Sequence, residues 1–278
     1  MVDAQDLGSC GSNPVEVRIL SRAPMEILFL GTSSGWPLPR LGCKCEICSS
    51  QDPKDTRLRP SLLVNRSILF DASPDIYNEI KIHKVDPTKI THIILTHAHD
   101  DHIFGLYDLS HIYNGPKITI ISSSGVLSKA RRLVGISMRA FDILEAKPFE
   151  KISLSKDSSV WLIPVEHGSE EAYAIKLKAP KPVVYAPEFR RIIPSSRKEM
   201  GDIEMAILDG SSKTSYGQAK GHETIEEGLR FGKDVNAKRV LFTNIGHKTD
   251  THANLEAFMK EHGGDKFGIA FDGLELKV

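Results

Sequence analysis

The sequence predicts an α/β protein in which helices cover β-sheets in layers. Short apolar segments typical of strands alternate with helical segments along the chain, and helices placed between strands must cover the faces of a sheet. Polar side chains follow several predicted strands at their carboxyl ends, where ligands collect in open α/β sheets. These side chains are Asp71, His97, His167, Glu188, Asp209 and Asn244. We therefore expect one site at a sheet edge.

Composition and length limit the classes of protein that fit. The 278 residues show no interdomain linker, and we predict an N-terminal extension over residues 1–24 and a single domain over residues 25–278. Basic and acidic residues balance at 36 each, so no net charge favours nucleic acid. The apolar runs have the length of strands and no secretory signal is visible, so we expect no membrane partner and a cytoplasmic location.

The first half of the chain predicts a strand, a hairpin around Asn65-Arg66 that ends at Asp71, and further strands separated by helices. The predicted strands are Glu26–Leu30, Ser61–Val64, Ser67–Phe70, Ile90–Thr96 and Lys117–Ile121. The predicted helices are Asp75–His83, Gly105–Tyr113 and Gly125–Val134.

The second half continues the same alternation of strands and helices. The predicted strands are Val160–Val165, Ala172–Leu177, Val183–Ala186, Glu204–Leu208, Arg239–Thr243 and a terminal strand over Gly268–Leu276. The predicted helices are Thr224–Phe231 and Asn254–Glu261.

A histidine-rich segment directly follows the strand Ile90–Thr96. It reads His97-Ala98-His99-Asp100-Asp101-His102. Neutral imidazole and carboxylate suit Zn²⁺ and its first-row neighbours, and they recur in sites that keep a position open for water. A solvated turn is the alternative, but the end of a buried strand makes the imidazoles converge. The segment predicts a metal site at the sheet edge.

Three cysteines lie close together in the loop after the first strand. They are Cys43, Cys45 and Cys48. Neighbours this close are poorly placed to form disulfides with one another, and such spacing in a chain without a secretory signal favours a metal. Reduced loop cysteines without a metal are the alternative.

The histidine-rich segment resembles the hallmark HxHxDH of the metallo-β-lactamase superfamily, matched by His97, His99, Asp101 and His102. Within it, the chain is similar to the branch of phosphoribosyl 1,2-cyclic phosphate phosphodiesterases. That similarity is carried by Phe29–Thr32, Gly42–Cys48, Arg57–Val64 and Phe271–Gly273. The resemblance implies a four-layer αββα sandwich with a dinuclear metal site at one edge of its two sheets.

The resemblance also implies which residues hold the two ions of that site. His97, His99 and His167 would hold the first ion, and Asp101 and His102 the second. Zn²⁺ is the expected metal.

Two residues depart from the family pattern at the same site. Glu188 stands where the family has a bridging Asp, and its extra methylene changes the reach of the carboxylate. Asn244 stands where the family has a second-metal His. An amide oxygen is a weaker donor for Zn²⁺, so the second ion would bind less tightly or be Mn²⁺, unless Asn244 instead contacts a bound water.

A separate structural zinc is implied by the same resemblance. His247 would complete its ligand set with Cys43, Cys45 and Cys48. Three thiolates and an imidazole form a closed tetrahedral site, which leaves no position for a substrate.

The implied reaction is attack of a metal-activated water on the phosphorus of a small cyclic diester. Two catalytic residues are expected. His222 would be the acid that protonates the leaving oxygen, and Asp101 would act as a ligand of the second ion. Arg57 and Arg59 would either bind phosphate or fix the loop before a strand. Lys129, Arg131 and Arg132 predict a solvated helix face.

Other functions fit parts of this pattern. A lactone or thioester hydrolase uses the same chemistry on carbonyls, and a tRNA 3′-processing nuclease shares the histidine pattern. Glu188 and Asn244 also leave open a non-catalytic protein with an eroded second site. The expected partner is a small phosphorylated substrate, nucleic acid is not expected, and the sequence allows a homodimer.

Overall fold

The computed structural model describes residues 24–112, 114–215 and 221–278. The predicted extension over residues 1–24 lies outside the described residues except for its last residue. Within the described residues, the strands form two mixed sheets.

Each sheet has an antiparallel half and a parallel half. In spatial order, the first sheet contains β14 (Glu275–Lys277), β1 (Glu26–Gly31), β2 (Ser61–Val64), β3 (Ile68–Phe70), β4 (His92–Ile94), β5 (Thr119–Ser122) and β6 (Asp142–Glu145). The second contains β13 (Phe267–Ile269), β12 (Arg239–Thr243), β11 (Met205–Asp209), β10 (Pro182–Ala186), β9 (Glu170–Lys178), β8 (Ser159–His167) and β7 (Ile152–Ser153).

Alternation along the strands of the second sheet divides the core into layers. Val183 and Tyr185 of β10 belong to the apolar cluster that includes the first sheet, whereas Val184 and Ala186 belong to the cluster that includes the outer helices. Successive strand residues point to opposite faces, so one face of the second sheet packs on the first sheet and the other on helices. The predicted αββα sandwich is confirmed.

Helices cover the outer faces of both sheets. The α-helices are α1 (Glu46–Ser49), α2 (Ile76–Ile82), α3 (Asp100–Ile103), α4 (Leu106–Leu109), α5 (Ser124–Val134), α6 (Pro194–Met200), α7 (Ile225–Asp234) and α8 (His252–His262). Residues of α2, α4 and α5 join the core of the first sheet, and residues of α6, α7 and α8 join that of the second. No helix among the described residues is both long and apolar enough to cross a bilayer.

Two predicted elements differ from the structure. The predicted terminal strand Gly268–Leu276 is wrong: β13 pairs in the second sheet and β14 in the first, and the turn between them has Gly273 at a φ of 87°. The predicted helix Gly105–Tyr113 shortens to α4, after which the hydroxyl of Ser110 donates to the carbonyl of Tyr107 and competes with the helical backbone bonds. Its last predicted residue, Tyr113, lies outside the described residues.

Candidate metal centre

Strands that run in one direction in each sheet bring their carboxyl ends to one edge of the sandwich; most belong to the parallel halves, and β8, which pairs antiparallel with β9, runs the same way. The first sheet contributes Asp71 after β3 and the histidine segment after β4. The second contributes His167 at the end of β8, Glu188 after β10, and Asn244 after β12. All of these except His99 and Asp100 of the histidine segment are buried. The structure therefore assembles residues that are up to 173 positions apart in the sequence, from Asp71 to Asn244.

Glu188 lies at the centre of this edge site. Its Oε2 is 3.2 Å from Nε2 of His97 and 3.0 Å from Nε2 of His167. Its Oε1 is 3.2 Å from Nε2 of His102. The two carboxylate oxygens thus face different imidazoles, which is the arrangement that a bridging carboxylate needs.

Two groups of ligand atoms share Glu188. The first is formed by His97, His99, His167 and Glu188, and the second by Asp101, His102 and Glu188. Within each group the ligand atoms lie within 4.8 Å of one another. We call these six residues the edge site.

The electrostatics of the edge site fit a bound cation. Burial acts to raise the pKa of Glu188, but His102, His167 and His97 hold it well below its ordinary value, so the carboxylate is ionised. Nδ1 of His102 lies 2.8 Å from the Asp71 carboxylate, and Nε2, which faces Glu188, is buried without a hydrogen bond among the described residues. Burial acts to lower the pKa of His102, but Asp101, Asp71 and Glu188 raise it well above its ordinary value, so this position attracts positive charge. Where a metal ion replaces the proton on Nε2, an imidazole that donates through Nδ1 presents a lone pair there. A cation between that lone pair and the carboxylate would satisfy both, so these residues fit a metal.

Three imidazoles of the edge site contact a polar group through the ring nitrogen that points away from the site. Nδ1 of His97 lies 2.9 Å from Oγ1 of Thr96, Nδ1 of His102 contacts Asp71, and Nδ1 of His167 lies 2.7 Å from the carbonyl of Gly221. Such contacts fix the tautomer and the ring orientation of a metal-binding histidine. In all three residues Nε2 is the nitrogen that faces the site.

Asp71 and Asn244 occupy strained turns at the ends of their strands. Their φ angles are 58° and 62°, in the left-handed region that few non-glycine residues adopt. From this turn Asp71 accepts hydrogen bonds from the backbone and hydroxyl of Thr96 and contacts His102. Asn244 donates from Nδ2 to Oε1 of Glu188 at 3.1 Å, and its Oδ1 is buried without a partner among the described residues.

The three clustered cysteines meet His247 at a second location. Sγ of Cys43 is 3.3 Å from Sγ of Cys45 and 3.5 Å from Nδ1 of His247, and Cys48 completes the group. A hydrogen bond from the backbone of Cys45 lowers the pKa of Cys43 to about 6, so its thiolate forms readily. We call these four half-buried residues the cysteine site. Thiolates and an imidazole are the donor set of a tetrahedral zinc.

His222 pairs with a buried aspartate beside the edge site. Its Nδ1 is 2.8 Å from Oδ2 of Asp209, the last residue of β11, and its ring centroid is 5.0 Å from that of His167. Burial acts to lower the pKa of His222, but Asp209 raises it to about 9. The capping box of α7, in which Thr224 and Glu227 bond reciprocally, fixes the backbone just after His222.

A pocket of about 480 Å³ opens onto these groups. Its lining includes His99, Asp101, Glu188 and His222, together with Trp36, Arg40 and Lys248. The Arg40 guanidinium lies 4.9 Å from the centre of the Trp36 ring, and its Nη1 is 3.2 Å from Nε2 of His247. The pocket therefore combines the edge site with two cations and an exposed aromatic ring.

Comparisons with known proteins agree with this geometry. A family model described as a beta-lactamase superfamily domain matches residues 66–245, which include the whole edge site. The chain belongs to the metallo-β-lactamase superfamily.

Individual relatives of this superfamily share modest identity with the chain. Octanoyltransferase of Porphyromonas gingivalis is 24% identical over 267 residues, which are 91% of this chain and 52% of that protein. Ribonuclease Z of Lactobacillus johnsonii is 28% identical over 141 residues, or 49% of this chain and 41% of that protein. The chain spans about half the length of these curated relatives. A solved diphosphatase of the PhnP family is 26% identical with a TM-score of 0.80, covering 91% of this chain and 97% of that chain.

Two arginines that the sequence singled out have structural partners. Arg57 is fully buried and donates to Oγ1 of Thr32 and to the carbonyl of Ala270 at 2.8 and 2.6 Å. Arg59 forms a two-pronged ion pair with Asp75. Of the two predicted roles, the structure shows loop fixation, and neither residue lines the pocket.

Several residues at the site were not identified from the sequence. The strand pattern puts Asp209 at the sheet edge but does not indicate its contact with His222. Trp36 and Arg40 line the pocket from a loop that carries no periodic signal. On the predicted solvated face of α5, Arg131 and Arg132 are exposed, and Lys129 is 31% exposed and forms an ion pair with Glu170 of β9. The spacing of charged residues along α5 contains no information about that distant partner.

Proposed function

We propose that this protein is a metal-dependent phosphoric diester hydrolase that opens a small cyclic phosphate diester. The observation that carries the proposal is the division of the Glu188 carboxylate between two ligand groups, with one oxygen facing His97 and His167 and the other facing His102. A carboxylate in that position can hold two cations side by side. Two-metal sites of this kind serve in-line displacement at phosphorus.

The six residues of the edge site form the ligand sets of two ions. His97, His99 and His167 would hold one ion and Asp101 and His102 the other, with Glu188 between them. When bound, a pair of divalent ions lowers the pKa of a water and stabilises the negative charge of the displacement. Zn²⁺ suits this set of imidazoles and carboxylates. Asn244 donates a hydrogen bond to Glu188 and stands where an imidazole would otherwise bind. The ion held by Asp101 and His102 therefore has one imidazole fewer, which makes Mn²⁺ a second option there.

The pocket supports a small anionic substrate. Arg40 and Lys248 line the same pocket as the edge site, where a guanidinium and an ammonium attract phosphate oxygens. The volume of about 480 Å³ lies within the range of small-molecule sites. A phosphorylated sugar or nucleotide fits both the charge and the size.

His222 would supply the proton that the leaving group needs. Attack of water on phosphorus breaks one ester bond, and the departing sugar oxygen leaves poorly unless it is protonated. The imidazolium of His222 gives its proton to that oxygen, and the proton released by the attacking water restores the imidazolium. Asp209 holds Nδ1 of His222 at 2.8 Å and stabilises the charged ring.

Turnover of bis(p-nitrophenyl) phosphate with added Zn²⁺ or Mn²⁺ tests the reaction class. A panel of ribose cyclic phosphates and lactones then tests the substrate. We expect hydrolysis of the phosphodiesters, a large loss in the variant Glu188→Gln, and none in the control Glu204→Gln, because Glu204 pairs with two lysines at the opposite end of the sheet. Hydrolysis of lactones alone, or no turnover of any phosphodiester with any metal, would contradict the proposal.

A nuclease is the second candidate because Ribonuclease Z matches half of the chain. The two metal ions, with Arg40 and Lys248 in the same pocket, would then act on the phosphodiester at an RNA 3′ end. Cleavage of a precursor tRNA at a rate above that on cyclic phosphates would favour this candidate. Cleavage of the small diesters alone would exclude it.

A further inference from the structure

One imidazole of the edge site differs from the others. His99 faces the site through Nδ1, which is 2.9 Å from Nε2 of His97 and 3.7 Å from Oε2 of Glu188. The other three histidines use Nε2 and rest on a partner at Nδ1. The side chain of His99 is also 35% exposed, compared with at most 3% for those three. Among the four histidines of the edge site, His99 is therefore the one whose orientation is least fixed by packing in the core.

A carboxylate lies on the outer side of that ring. Oε1 of Glu170 is 4.0 Å from Nε2 of His99, the nitrogen that points away from the site. Glu170 is the first residue of β9 and pairs in register with His167, so the hairpin of β8 and β9 carries it to the edge. Its position depends on the same hairpin that delivers a ligand.

A lysine from another layer holds this carboxylate. Lys129 of α5 forms an ion pair with the second oxygen, Oε2, of Glu170. The side chains of Lys129 and Glu170 are 31% and 27% exposed, so the pair is partly shielded from solvent. The helix that covers the first sheet is thereby tied to a strand of the second beside His99.

We propose that Glu170 is a positioning residue that orients His99 for metal binding and that Lys129 fixes Glu170 for this task. This inference rests on the proposed occupation of the edge site by metal. At 4.0 Å the Glu170 carboxylate attracts Nε2–H of His99 electrostatically without a direct hydrogen bond, which favours the tautomer that leaves Nδ1 as the metal-binding nitrogen. The chain Lys129–Glu170–His99 thus replaces the buried partner that each of the other imidazoles has.

The affinity of the edge site for metal tests the proposal directly. Protein stripped of edge-site metal by mild chelation is titrated with Zn²⁺ against a chromophoric chelator, and the visible spectrum is recorded after loading with Co²⁺. We expect Glu170→Ala to weaken binding by about 10- to 100-fold, as loss of an outer partner does in other metal sites, and to alter the Co²⁺ spectrum. Glu170→Gln should give an intermediate affinity, because the amide keeps the shape and the oxygen dipole of the carboxylate but not its charge. Lys129→Met should have a smaller effect of the same sign.

Glu204→Gln is the matched control, since it removes a carboxylate that is 20% exposed and paired with lysines far from the site. Its affinity and spectrum should equal those of the wild type. Unchanged affinity and an unchanged Co²⁺ spectrum in Glu170→Ala would overturn the inference. Because binding is measured without turnover, a wild-type protein that loads metal but leaves phosphodiesters intact would contradict the proposed function alone.

Discussion

The edge site and the cysteine site are built in different ways. The edge site follows the ends of strands from both sheets, and three of its four imidazoles are buried and held at the second nitrogen. The cysteine site lies on loops and the four-residue helix α1; its thiols contact one another and His247, and Cys45 and Cys48 pack on the margin of the second sheet's core. Its four side chains are all half-buried.

This difference separates geometry imposed by the fold from geometry that a metal must create. The ligands of the edge site cannot move far without disturbing packed strands, so we expect it to keep its shape without ions. The cysteine site has less of this support, because its side chains lie on loops and a short helix at the margin of the core, and bound zinc would contribute to the order of its loop. The two sites should therefore respond differently to substitution.

The largest expected effect on activity follows from Asp101→Asn. This change removes a charge from the second ligand group while preserving shape, and we expect a loss of about 1,000-fold in kcat, since metal stabilisation is worth several kcal/mol. Turnover and metal content measured together check it. If the variant binds one ion per edge site and remains fully active, the dinuclear interpretation is wrong.

His222→Ala should reduce kcat by about 100-fold or more, the usual contribution of a general acid. Metal content should not change, because His222 is outside both ligand groups. The sharper comparison uses two substrates. A diester with p-nitrophenolate, a good leaving group, should lose much less activity than one with a sugar alkoxide, and equal losses on both would remove the proposed role.

Glu188→Asp introduces the carboxylate that the family carries and shortens its reach by one methylene. The backbone of this chain positions Glu188 so that its oxygens lie 3.0 to 3.2 Å from three imidazoles. We expect kcat to fall by about 10-fold, because small misplacements of reacting groups are costly. Kinetics with Zn²⁺ and with Mn²⁺ check this, and a faster variant would show that the longer side chain is not matched to this site.

The smallest effect on activity should come from Cys43→Ser. We expect loss of one zinc per chain and of about 2 kcal/mol of stability, which corresponds to roughly 4 to 8 °C in Tm. Turnover at low temperature should change less than tenfold, because the edge site is supported by the sheets. Elemental analysis and thermal unfolding provide the measurements; unchanged zinc content would contradict a structural zinc here.

Much of the fold could be predicted because the strands have clear apolar patterns and polar ends. The hairpin of β2 and β3 and the strand β12 lie where the sequence placed them. The end of the chain could not be predicted in this way. A single apolar pattern over Gly268–Leu276 does not reveal that the chain crosses from one sheet to the other at the turn containing Gly273.

The site was predictable where ligands follow strands and not where loops or other layers contribute. His97, His99, Asp101 and His102 share one segment, and the superfamily resemblance brought His167 and Glu188 to them. The contact of Lys129 with Glu170, and that of Arg40 with Trp36, depend on how layers and loops pack. Local sequence carries no signal for such contacts.

The left-handed backbone at Asn244 limits which side chains this corner accepts. Asparagine, aspartate and histidine are the non-glycine residues that best tolerate such a φ, and all three have atoms that bind cations. The turn therefore accepts histidine as well as asparagine without rebuilding of the loop. A single substitution of Asn244 by the histidine that the family resemblance predicts would place an imidazole next to Glu188, where the amide now donates a hydrogen bond.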